Sequence, residues 1–216
     1  EEVHRSYLKG GDLHLGGERY PAPSTMLVDA PVGAGKTCLL QQLAVLAIEK
    51  EALVPIIIRM SDLQQHLAND RHRPRFTSSW NFIDAYLQCL CVNEKWAMVY
   101  PMLRQAMISR RTLLLLDGVD EAGQATETLC MHVVEVLRAQ GHAMVVSCRP
   151  ATAAAAQWPG FTRIRVKPLS LEEQKEFMSE RLRSTAWSID ALVQYQAQHL
   201  PDCEASSERA ISSPLL

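Results

Sequence analysis

The chain has 216 residues, 47% of them hydrophobic and 21% charged, which supplies one sizeable core and excludes a disordered tail or a fibre. Its 22 Lys and Arg against 24 Asp and Glu leave a net charge of −2, without the overall basic excess of a dedicated nucleic-acid coat. No apolar run approaches the roughly 18 residues that span a bilayer, and the start, EEVHRSYLKG, has no basic stretch followed by an apolar one, so the expectation is a cytoplasmic protein with no membrane partner.

Residues 1–23 read as a lead-in segment. Five short apolar runs then alternate with longer helical stretches: STMLVD at 24–29, VPIIIR at 54–59, TLLLLD at 112–117, AMVVS at 143–147 and TRIRV at 162–166. Strands buried on both faces read as continuous apolar runs, so these predict an α/β domain over 24–167 with a parallel five-stranded sheet flanked by helices. Between the first two runs Leu39, Leu40, Leu43, Leu46 and Ala47 recur at helical spacing, and Trp96 to Ile108 and Leu129 to Leu137 do the same later. After Val166 the alternation stops. LSLEEQKEFMSERL, with Ser170 as cap, and SIDALVQYQAQHL read as consecutive helices punctuated by Pro168 and Pro201, a small all-helical subdomain over 168–216. The closing SSPLL is apolar with no polar end, so the expectation is a piece of a longer chain whose other domains, or further copies, are its partners.

The chemistry begins directly after the first predicted strand with APVGAGKT, residues 30–37, placed immediately before a helix. A strand, a Gly-rich turn and a helix N-terminus make a phosphate-binding loop, the mark of a P-loop NTPase. Gly33 and Gly35 let successive N–H groups point inward, Lys36 reaches terminal phosphates, and Thr37 holds Mg²⁺ by its hydroxyl. The candidate contact to ATP or ADP therefore runs Ala30, Pro31, Val32, Gly33, Ala34, Gly35, Lys36, Thr37 and Cys38, with Ala30 standing where the pattern usually has glycine. The third strand ends LLLLDGVDEAG, and Asp117 emerges at its carboxyl end, suited to Mg²⁺. Asp120 and Glu121 follow as carboxylates that could orient a water or complete the metal site, and the sequence does not choose between them as the base. VVSCRP ends the fourth strand and offers Arg149 to a γ-phosphate, with Ser147 as a lesser polar contact to it.

Other features read as structural. Six cysteines at 38, 89, 91, 130, 148 and 203 lack paired CxxC spacing, His66 and His72 fall in a polar loop, and buried free thiols with no metal are expected. RHRPR at 71–75 reads as a solvated loop, the four tryptophans as packing, and His132 as a satisfied helix histidine.

Taken together these residues resemble the NACHT family of signal-transducing NTPases with numerous domains. VPIIIRMSDL is similar to that family's second strand and following loop, LLLLDGVDEAG to its extended Walker B, and SCRP to its sensor 1. SSPLL resembles its GxP-type element, with Ser212 in place of the glycine, which implies that Pro214 packs on adenine. The resemblance implies a Mg-ATP switch of innate-immune signalling type, with slow hydrolysis and self-association. A DExH-box-like helicase is the first alternative, because AxxGxGKT with an initial alanine and DEA at 120–122 occur there; Asp117 preceding DEA by three residues and the negative net charge weigh against it. A metabolic kinase is the second, and no acceptor site for it can be located.

Overall fold

The computed structural model describes residues 13–15, 18–20, 25–50, 53–92 and 96–166, with six further positions between 170 and 179. In the lead-in segment, β1 (Leu13–Leu15) and β2 (Glu18–Tyr20) pair as an antiparallel hairpin. Next come β3 (Thr25–Asp29), α1 (Lys36–Glu49), β4 (Val54–Arg59), α2 (Met60–Ala68), α3 (Arg73–Ser78), α4 (Phe82–Leu90) and α5 (Val99–Ile108). β5 (Thr112–Asp117) leads into a 3₁₀ segment (Val119–Ala125), then α6 (Thr126–Met131), which continues as a π-helical stretch (His132–Leu137). β6 (Ala143–Cys148), α7 (Pro150–Ala155) and β7 (Thr162–Arg165) follow. Among the described residues, 25–29 and 37–164 form one compact unit and the loop 30–36 falls in a second.

The sheet has the five strands that the apolar runs predict, in the order β4-β5-β6-β3-β7. β3 pairs parallel with β6, β6 with β5 and β5 with β4. Leu114, Leu115 and Leu116 have no exposure, nor do Met144 and Val146, which explains why these strands lack the alternation of a half-solvated sheet. Register sets the functional edge: Asp29 stands opposite Cys148, Arg59 opposite Asp117 and Leu116 opposite Val146, so the carboxyl ends of β3, β4, β5 and β6 come level.

One face of the sheet packs in a continuous core with Met60 and Leu63 of α2, Ile83 of α4, Met107 of α5 and Leu129 of α6. Each such side chain contributes about 1.5–3 kcal/mol by leaving water. α1 departs from the expected stripe. It buries Leu40 and Ala44, while Leu39, Val45, Leu46 and Ile48 are exposed. RHRPR is not a loop throughout, because α3 starts at Arg73 with Pro74 in its first turn, where a fixed φ and a missing N–H cost nothing, and Phe76 anchors it in the core. His66 likewise lies in α2 rather than in a loop. Of the stretch expected to form a helical subdomain, only a few positions near its start are described: Ser170 and Glu173 cap each other reciprocally, Ser170 N–H donating to Glu173 Oε2 at 2.7 Å and Glu173 N–H to Ser170 Oγ at 3.3 Å. Pro214, Ser212 and the second predicted helix lie outside the described residues. No described helix is long and apolar enough to cross a membrane.

Two histidines sit in the core. His132 stacks on Phe82 with ring centroids 3.9 Å apart, and its Nε2 accepts the Phe82 N–H at 3.0 Å, satisfying a donor at the start of α4. The neighbouring donor, Asp84 N–H, is taken by the Asn81 side chain at 2.8 Å. His142 is fully buried, and neither ring nitrogen has a hydrogen-bond partner. Burial pushes both pKa values down from 6.5 to about 4, with the nearby Arg110 charge adding to the effect at His142. Between these values the unfolded chain binds protons that the folded chain refuses, so stability present above about pH 6.5 falls on acidification towards pH 4, by up to about 1.4 kcal/mol per pH unit for each histidine. Urea unfolding between pH 7 and pH 5 should show this loss, and replacing His132→Gln and His142→Phe together should flatten it.

Candidate functional site

The loop between β3 and α1 is dictated by backbone conformation. Gly33 has φ 78° and Gly35 φ 84°, left-handed values that L side chains adopt only at a cost of about 1 kcal/mol or more. Ala30 has no exposed surface, so a methyl group is buried at the position that usually carries glycine. The Lys36 ammonium turns back over the loop and donates to the carbonyls of Ala30 and Pro31, each at 2.8 Å. Val32, at 62% exposure, forms the loop's outer rim, and Cys38 is exposed on α1.

A second group forms around Asp117. Thr37 Oγ1 donates to Asp117 Oδ2 at 2.7 Å, and Ser147 Oγ donates to Asp117 Oδ1 at 2.7 Å. Ser147 Oγ also accepts the Gly118 N–H at 2.8 Å. Both carboxylate oxygens are therefore aimed by hydroxyls from other segments, and Ser147, the lesser phosphate candidate, links Asp117 to the Gly118 backbone. Gly118 has φ 70°, a left-handed conformation that favours glycine at this turn, and a Cβ there would lie 3.0 Å from the end of the Glu121 side chain.

Beyond the turn the two acidic candidates separate. Asp120, with a side chain only 7% exposed, pairs with Arg149 Nε at 2.8 Å and accepts the Arg149 N–H at 3.0 Å. Glu121 is exposed. The structure thus joins Thr37, Asp117 and Ser147 in one group and Asp120 with Arg149 in another.

Sequence reasoning missed a further pair. Asp29, the last residue of β3 and fully buried, accepts from Arg163 Nε and Nη2 on β7. A carboxylate taken out of water needs such a partner, and an Asp closing an apolar strand was the available signal. The adjacent thiols are held neutral: burial, assisted by the charges of Asp120 and Asp29, pushes Cys148 up to about 12, and burial with Asp120 and Glu127 pushes Cys130 up to about 11. A cavity of about 810 Å³ opens along α6 and α7, lined among others by Gly123, Cys130, Glu135 and Thr152; Thr37, Asp117 and Ser147 do not line it.

A family model described as the NACHT domain matches residues 24–185. Among curated proteins no sequence matches. Among solved structures the chain is similar to a DNA replication initiation factor, at 14% identity and a TM-score of 0.51, over 92% of this chain and 54% of that one. It is also similar to a structure described as the basis for katanin self-assembly, at 14% identity and a TM-score of 0.52, over 82% of this chain and 52% of that one. The chain thus spans about half the length of these structures, and at this identity the likeness is one of fold, the P-loop NTPase sheet with its flanking helices.

Ser147→Ala removes one donor from Asp117 and leaves the buried Gly118 N–H without its partner. The expected loss is about 1–3 kcal/mol of folding stability, read as a lower urea midpoint with an unchanged slope.

Proposed function

The chain belongs to the NACHT family, and from that premise we propose that it is an ATP/ADP-binding signalling switch that hydrolyses Mg-ATP slowly. The observation that carries the reading is the hydrogen bond from Thr37 to Asp117, which joins the residue after the loop lysine to the carboxylate at the end of β5. A hydroxyl and a carboxylate in direct contact form the hard oxygen pair that Mg²⁺ takes alongside phosphate oxygens. The donor set fits the nucleotide: two left-handed glycines curl the loop at the end of β3, and Lys36 supplies a compact positive charge. When bound, the nucleotide supplies a γ-phosphoryl group whose charge Mg²⁺ and Lys36 neutralise.

The chain's own residues divide the remaining work. Asp120, engaged through both oxygens, holds Arg149 in place at the end of β6. Glu121, exposed beside Gly118, is then the residue that orients water. In this reading 24–167 form the nucleotide-binding domain and 168–216 a helical subdomain whose Pro214 meets adenine. The partners are other domains of a longer cytoplasmic chain or further copies of it, and the setting is innate-immune signalling.

Lys36→Ala should reduce ADP affinity by at least about 30-fold in a calorimetric titration of the folded protein, corresponding to about 2–5 kcal/mol for a desolvated charge pair. An unchanged affinity would exclude the loop as the phosphate site. Asp117→Asn should weaken Mg²⁺-dependent binding. Glu121→Gln should retain ATP yet lower its turnover by about 100-fold or more, and Asp120→Asn should weaken nucleotide discrimination without a comparable loss of turnover. Full turnover in Glu121→Gln would move the base elsewhere.

A further inference from the structure

Between β4 and β5 the chain inserts α2, α3 and α4, and this layer gathers groups that nucleotide chemistry does not use. His66 in the last turn of α2 and His72 just before α3 stack with ring centroids 4.7 Å apart and planes 14° apart. Cys89 comes from the last turn of α4. One imidazole nitrogen from each histidine and the Cys89 Sγ all lie within 4.8 Å of one another. Both histidines bury an Nδ1 that has no hydrogen-bond partner, an arrangement that costs free energy unless something bridges the nitrogens. The Tyr86 ring closes one side, edge-on to His66 at 5.1 Å.

We propose that His66, His72 and Cys89 form a zinc site that clamps this helical layer. Two imidazoles and a thiolate are a donor set suited to Zn²⁺, with water completing the tetrahedron. Zn–N distances of about 2.0–2.1 Å and a Zn–S distance of about 2.3 Å place tetrahedral donors roughly 3.3–3.6 Å apart, so closure needs donor shifts on the order of 1 Å and a turn of one of the stacked imidazoles, which brings both in-plane lone pairs onto the metal. On binding, the Cys89 thiol releases its proton to solvent and its sulfur bonds the metal as thiolate. Arg75 Nη1 already donates to that sulfur at 3.8 Å and supports its negative charge. The Asp62 carboxylate, one turn before His66, acts on that ring by charge and suits the orienting role that carboxylates play behind metal-bound imidazoles. Because the three ligands come from separate segments, binding the metal and ordering the layer are one event. The site uses no residue assigned to nucleotide, so it stands independently of that reading.

The test is Co²⁺ substitution in the full-length protein. The difference spectrum between wild type and Cys89→Ser should contain a thiolate-to-cobalt charge-transfer band and the d–d bands of tetrahedral Co²⁺, and Cys89→Ser should weaken Co²⁺ binding by roughly tenfold or more. Cys91→Ser, two residues away, should match wild type. A difference spectrum without the thiolate band, in a folded variant, overturns the proposal. Should Cys89→Ser fail to fold, His72→Gln, in a half-exposed turn, serves the same comparison, with loss of the tetrahedral bands expected and their full retention overturning the site.

Discussion

One carboxylate holds the functional edge together. Asp117 accepts from Thr37, 80 residues earlier in the chain, and from Ser147, 30 residues later, so three segments distant in sequence are fixed by two hydrogen bonds of 2.7 Å each. Hydroxyl-to-carboxylate bonds of this length belong to the stronger class of hydrogen bonds in proteins. The parallel register makes them possible: Leu116 lies level with Val146, so the next residues on β5 and β6 emerge side by side.

The same device recurs along the edge. Asp29 at the end of β3 is answered by Arg163 on β7, and Asp120 after β5 by Arg149 after β6. In each case a poorly exposed acid meets an arginine from later in the chain. Parallel strands end together, which concentrates strand-end carboxylates in one place, and the chain compensates each locally. Glu121 differs in staying exposed, and that contrast separates it from its neighbour Asp120.

The strands were legible because their physics is local. TLLLLD at 112–117 reads as a strand from five consecutive positions of apolar and β-compatible chemistry, and the structure bounds β5 at the same residues. The phosphate loop was legible because only glycine meets its backbone demands at 33 and 35. Partnerships were not. Nothing in LVDAPVG indicates that Asp29 meets an arginine 134 residues later. The α1 stripe was over-read because Leu39 and Leu46 fit helical spacing as well as Leu40 does, and spacing alone cannot tell which side meets the sheet. His66, His72 and Cys89 were dismissed because metal motifs are recognised by short spacing, whereas here a helix, a turn and another helix bring the donors together.

The borders of the sheet carry one more consequence. β4, at one end of the strand order, contains Pro55, which has no N–H to offer a neighbour. β7, at the other end, is only four residues long and exposed throughout, with Arg163 engaged by Asp29. Proline and shortness are two means by which edge strands refuse a strand from another molecule, so both margins of this sheet are poor templates for the runaway cross-β pairing that leads to fibrils.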